Sequence, residues 1–137
     1  MTAATTSYDY LLDHLVQANI GVRYALLTSN DGLRRARSQS LPVDVADTLA
    51  ASASALMSLS VGMGRTVGAE VVERTLVTYA GMHLLVMATG MDTILLATTD
   101  HDADLGVVAY EMTALVKRVA DQAFAVPPRA VEAGRGY

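Results

Sequence analysis

Two apolar runs, Leu84-Leu85-Val86-Met87 and Ile94-Leu95-Leu96-Ala97, are separated by little more than Gly90-Met91-Asp92. A strand that faces water on one side alternates apolar and polar residues, so an unbroken apolar run asks for cover on both faces. So short a gap closes an antiparallel hairpin and leaves no room for a crossover. Strands are expected over His83–Thr89 and Thr93–Thr99, with a third over Val71–Tyr79 ahead of Ala80-Gly81-Met82. That third segment carries Glu73, Arg74, Thr75 and Thr78 and reads as an edge. The rest of the chain must supply a layer for each face of the sheet.

Helices can supply both layers. A first helix, capped by Thr6 or Ser7 and ended by Gly21, sets Tyr8, Leu11, Leu12, Leu15 and Val16 on one stripe and points Asp9, Asp13 and Gln17 elsewhere. Strands over Val22–Ser29 and Leu33–Ser38 then flank Asn30-Asp31-Gly32, whose Asp-Gly supplies the positive φ angles of a tight hairpin turn. Leu41-Pro42-Val43-Asp44 opens a long helix that runs to about Arg65. At 100° per residue, Val45, Leu49, Ser52, Leu56, Leu59 and Met63 form one stripe, and Ala46, Ala50, Ala53, Met57 and Val61 a second beside it. The remaining face, Thr48, Ala51, Ser54, Ala55, Ser58 and Gly62, has almost no charge except Asp44, Asp47 and Arg65, so this helix needs more than one covering surface.

A last helix, starting near Asp102 or Asp104, buries Leu105, Val108, Ala109, Met112, Leu115, Val116, Val119 and Ala123 and stops at Pro127-Pro128. The order α-β-β-α-β-β-β-α describes an α+β fold, an antiparallel sheet with helices on its faces. The 137 residues suffice for a single domain, 1–129, followed by a flexible C-terminal tail, 130–137.

Zero Cys excludes thiol catalysis, thiolate metal sites and disulfides. Ten basic against fourteen acidic side chains give a net charge of -4, which draws neither nucleic acid nor an anionic membrane. Met1–Thr6 lacks the basic flank and apolar stretch of a signal peptide, and no unbroken apolar run reaches the ~18 residues of a spanning helix. A cytoplasmic protein without a transmembrane segment is the expectation.

Little in the chain suggests catalysis. Asp100-His101-Asp102-Ala103-Asp104 could offer hard metal ligands, but acids at this place more simply cap the last helix. As a calcium loop it fails, since Leu105 stands where a glycine is needed, although Glu111 fits its own position. His14, His83 and His101 have no partnered nucleophile in sequence, and no G-x-S-x-G elbow exists. Gly62-Met63-Gly64-Arg65-Thr66 ends a helix where a phosphate loop must open one, and it lacks the Gly-Lys-Ser/Thr ending. Arg34-Arg35-Ala36-Arg37, the sole basic run, reads as a charge-protected edge strand with Arg35 and Arg37 on one side and Arg34 on the other. The methionines fall mostly at core-facing positions and call for no cofactor.

The element order, with Gly21-Val22-Arg23-Tyr24-Ala25, Ser29-Asn30-Asp31-Gly32-Leu33 and Asp102–Met112, resembles the roadblock/dynein light-chain family. The likeness runs from about Tyr8 to Arg129 and is strongest to the actinobacterial roadblock proteins encoded in conservon-type operons beside a sensor kinase and a small Ras-like GTPase. The resemblance implies a five-stranded antiparallel sheet in the order 2-1-5-4-3, with the long helix on one face and the terminal helices on the other. It also implies a homodimer joined through the long helix and the third strand, serving as a platform for a small GTPase, with a sensor histidine kinase as a further partner. Pro42 and Glu70-Val71-Val72-Glu73 depart from the family pattern, which has an acid and a more glycine-rich loop there.

The expected function is a non-enzymatic regulator or scaffold without a cofactor, recruited to the membrane, if at all, by its partners. Its dimer interface is expected at Ala50, Ser54, Met57 and Val61 of the long helix and Arg74, Thr75 and Leu76 of the edge strand. Asp44, Asp47 and Arg65 are expected as rim charges toward the partner. The rival reading is a small-ligand sensor module of α/β-sandwich type, which needs a pocket between sheet and helix where the apolar stripes predict a filled core.

Overall fold

The computed structural model describes residues 7–90 and 92–125. Its elements are α1 (Ser7–Ala18), β1 (Val22–Ser29), β2 (Arg34–Arg37), α2 (Val43–Thr66), β3 (Thr75–Thr78), β4 (Met82–Ala88), β5 (Thr93–Asp100) and α3 (Leu105–Ala125). The expected cap at Thr6, the stop at Pro127-Pro128 and the tail 130–137 lie outside the described residues, as does Met91. The strands form one antiparallel sheet in the order β2-β1-β5-β4-β3, as the family resemblance implied. β1 and β5, remote in sequence, pair at its centre from Val22↔Thr99 to Ser29↔Thr93.

Both apolar runs are buried on both faces, and successive residues serve opposite layers. Leu84, Val86, Ile94 and Leu96 pack with Leu26 beneath Leu41, Ala46, Ala50, Ala53 and Met57 of the α2 layer. Leu85, Met87, Leu95 and Ala97 pack with Leu11, Leu12 and Leu15 of α1 and Val108, Met112, Leu115 and Val119 of α3. Each fully buried Leu or Val stabilises the fold by about 1.5–3 kcal/mol, so a one-residue slip of register would be prohibitive.

α2 meets the sheet through alanines, which bring its backbone close and leave its larger side chains on the outside. α2 is also long and apolar enough, by length and composition, to cross a membrane, a property that a search for unbroken apolar runs misses because its serines and glycines interrupt them. Here it lies on the sheet as one of the two covering layers.

Local geometry corrects four expectations. The β1–β2 connection is a three-residue loop in which Gly32 alone has positive φ (89°), with the N–H of Gly32 donating to Ser29 O and that of Ser29 to Leu33 O. A bulge sets Arg34 and Arg35 against Thr28, so the expected alternation fails. Arg34 Nε then reaches Asp47 Oδ1 at 2.7 Å and Arg37 Nη1 reaches Leu41 O at 2.8 Å, both toward α2. β3 is four residues long, because the chain before Thr75 leaves the sheet. Asp9 and Asp13 do not point away: their carboxylates accept from the outward backbone N–H groups of Arg37 (3.0 Å), at the end of β2, and of Gln39 (2.6 Å), just past it.

Candidate protein-interaction surface

The surface worth attention is the side of α2 turned from the sheet. Val45, Leu59 and Met63 are 45%, 63% and 65% exposed, with Leu49 and Leu56 half-buried between them. Beside this stripe, on the same face of the sheet, Tyr24, Val77 and Met82 are also half-buried, because α2 crosses the sheet without covering it. Thr98 lies on that face opposite Leu84, and its Oγ1 is buried without a hydrogen-bond partner. β3 borders the patch, pairs with β4 alone, and exposes Leu76 at 47%. Ser60 Oγ of α2 lies 3.0 Å from Thr75 Oγ1 and ties helix to edge. An apolar stripe and an open strand edge thus form one continuous surface.

The structure divides the residues expected at the interface. Ala50 and Met57 are buried against the sheet in the chain's own core, since α2 presents its alanine stripe to the sheet. Ser54 donates to Asn30 O at 2.6 Å, and Val61 lines a groove at the end of the sheet. Thr75 and Leu76 lie in β3 at the open edge, whereas Arg74 precedes the strand, in the stretch that has left the sheet. The outward stripe was visible in the sequence as the first of the two stripes on the long helix, and Met63 belongs to it and not to the core. Tyr24, Val77 and Met82 carried no signal in the sequence, because only the tertiary path of α2 leaves them uncovered.

Asp44, Asp47 and Arg65 do not converge. Asp44 and Asp47 sit in the first turns of α2, Asp47 engaged by Arg34, while Arg65 is in the last turn, about 27 Å from Asp47 and about 32 Å from Asp44 along the axis.

The acidic loop is a cap with one working member. Asp104 Oδ1 accepts from Val107 N at 3.2 Å, the N-cap bond of α3. Asp102 does not cap; its fully exposed carboxylate lies 3.3 Å from His101 Nδ1. Asp100 pairs instead with Arg23 of β1. No three potential metal ligands gather among the described residues. His83 is buried at the start of β4, its Nε2 3.0 Å from His101 O and its Nδ1 2.9 Å from Thr78 Oγ1, and its ring stacks on that of His101. A carbonyl can only accept, so His83 Nε2 donates, and this histidine braces β3 against the β5–α3 loop.

A groove of about 560 Å³ opens at the hairpin end of the sheet, between the second half of α2 and residues 70–72, with Met57, Val61 and Ile94 inside and Arg65 and Glu70 among its lining. Ser54, Met57, Ser58 and Val61 of α2 and Ala88 and Ile94 of the sheet line it, so the expected filling of the space between helix and sheet does not extend to the second half of α2.

With that geometry established, the decisive observation is a match of residues 8–99 to the Roadblock/LC7 domain. The chain belongs to the Roadblock/LC7 family. A crystal structure of a Roadblock/LC7 domain from Streptomyces avermitilis is 34% identical, with 85% of this chain and 98% of that one covered and a TM-score of 0.79. Myxococcus xanthus MglB shares the fold at 15% identity, with 90% and 99% covered and a TM-score of 0.79. Profilin II from Acanthamoeba castellanii shares it more loosely, at 15% identity, 82% and 98% coverage and a TM-score of 0.57. No curated protein sequence matches the chain. The roadblock fold therefore stands on sequence and structure together, and what such a scaffold does depends on the surfaces it leaves uncovered.

Proposed function

We propose that this roadblock protein is a non-enzymatic homodimer that binds a small Ras-like GTPase, as regulator or scaffold, in a signalling system linked to a sensor histidine kinase. The single observation that carries the dimer is the continuity of the α2 stripe (Val45, Leu59, Met63) with the open β3 edge at Leu76. Two copies meeting there would extend the sheet and bury both stripes. The GTPase and the kinase rest on the family resemblance alone.

The sequence has no glycine loop ending in Lys-Ser/Thr, so nucleotide chemistry is assigned to the partner. A stimulating effect would come from ordering the GTPase's own residues, with Asp44, Asp47 and Arg65 setting specificity at the rim. The protein works in the cytoplasm and reaches the membrane only through partners.

The test is to mix the protein with a small Ras-like GTPase of the kind encoded beside the roadblock proteins it resembles, in GDP and GTP-analogue forms, and to measure binding and hydrolysis. A complex with one nucleotide state favoured is expected; no complex in either state refutes the reading. Arg65→Ala is expected to change the hydrolysis rate only modestly, and a fall of ~10³-fold would mean that Arg65 enters the GTPase site as a finger.

A further inference from the structure

β3 ends sooner than its neighbour. Its last pair with β4 is Thr75↔Val86, yet β4 continues through Met87 to Ala88, both still paired on the other side with β5. Tyr79 N donates to Met82 O at 2.8 Å, so in the alternating antiparallel ladder residues 82, 84, 86 and 88 of β4 turn their backbone groups toward β3. Ala88 lies beyond the last strand residue on that side.

The chain that could pair there is Val71-Val72-Glu73-Arg74, which opens with two strand-forming valines and runs off the sheet after Gly68 (φ 87°). Two grooves flank this segment, and Val71, Val72 and Ala88 line both. One is the groove of about 560 Å³ on the α2 side. The other, of about 360 Å³, lies on the α3 side with Met87, Thr113 and Val116 in its wall. Val71 itself is 82% exposed.

Continuing the register of β3 would pair Arg74 with Met87 and Glu73 with Ala88. Thr75 and Val77 face α2, so alternation would send Val71 and Glu73 to the α2 side and Val72 to the α3 side. Val71 would enter the α2-side groove, and Val72, now half-buried against the α2-side core, would cross to the α3-side one. Glu73 would come to the face where Arg65 lies, and Arg65 makes no ion pair among the described residues.

We infer that residues 71–74 zip onto β4 when β3 meets the β3 of a second copy, so that the interface strand is Val71–Thr78. This inference rests on the homodimer proposed above. The outward backbone groups of β3 belong to Leu76 and Thr78; extension adds those of Val72 and Arg74, and the partner strand rewards the extension with further hydrogen bonds. Pairing between copies and folding of the segment are thereby one cooperative event.

Hydrogen exchange of the full-length chain, measured at concentrations above and below dimer dissociation, tests this. The amides of residues 72–74 are expected to slow by about tenfold or more in the dimer. Glu73→Pro removes the N–H that would donate to Ala88 and should weaken dimerisation by about tenfold or more, with the circular dichroism of the dilute protein unchanged. A dimer whose residues 72–74 exchange as fast as in the monomer overturns the inference and leaves the dimer standing, as does a Glu73→Pro protein that dimerises as tightly as the parent. A chain that stays monomeric at millimolar concentration overturns both.

Discussion

Replacing Leu59 by alanine separates the chain's own core from its surface toward a partner. Leu59 is 63% exposed and lies on the outward stripe of α2. Full burial of a leucine stabilises by about 1.5–3 kcal/mol, so burying the exposed part in a dimer contributes about 1–2 kcal/mol per copy. Symmetry doubles this, and the retained alanine methyl reduces it to about 1.5–3 kcal/mol per dimer. The dissociation constant should therefore rise roughly 10- to 150-fold. Stability of the isolated chain should change by less than about 0.5 kcal/mol, since the side chain leaves no cavity in the core. Met57→Ala is the contrast: Met57 is 9% exposed beneath α2, and its truncation should cost about 2–5 kcal/mol of folding stability. Sedimentation equilibrium gives the first quantity and urea unfolding of dilute protein the second. An unchanged dimer in Leu59→Ala, or a dimer lost in Met57→Ala without loss of stability, would show that α2 meets its partner by the other stripe.

Asp104→Ala should cost about 0.5–2 kcal/mol through loss of the α3 cap, while Asp102→Ala should be neutral within about 0.5 kcal/mol, both read by thermal or urea unfolding. Calorimetry with Mg²⁺, Mn²⁺ or Zn²⁺ should show no micromolar binding at this loop, and binding that Asp104→Ala abolishes would refute the assignment of Asp104 as a cap. Gly21→Ala should destabilise by about 1–3 kcal/mol, because Gly21 has φ 92° and a Cβ there would stand 2.8 Å from Ala103 Cβ; an unfolding midpoint equal to the parent's would contradict it. Leu76→Asp should abolish the dimer by placing an unpaired charge in the strand pairing, and gel filtration showing the parent's elution volume would disprove the role of β3.

Much of the fold was legible because burial on two faces leaves a direct mark. The runs Leu84–Met87 and Ile94–Ala97 announced a covered central hairpin, and the alternation of Leu84 and Leu85 between layers follows from period two. The strand order came from the family resemblance, since local pattern does not say which strand lies beside which. Periodicity alone could not tell the two stripes of α2 apart. Alanines 46, 50 and 53 face the sheet because small residues let the helix approach, a preference set by the partner surface and absent from the helix itself. The β2 bulge was hidden because it depends on the closure of a three-residue loop, and the shortness of β3 because Val71 and Val72 have the composition of a strand in either position.

The carboxylates of Asp9 and Asp13 engage backbone N–H groups in β2 and just past its end, while β3 pairs on one side alone. In the homodimer proposed above, each molecule would be, in the language of polymer chemistry, a monofunctional monomer, with one reactive end at β3 and the other occupied by its own carboxylates. Monofunctional units couple once and stop. A sheet formed by two such chains meeting at β3 would have ten strands, and removing both carboxylates would uncover backbone N–H groups along its outer edges.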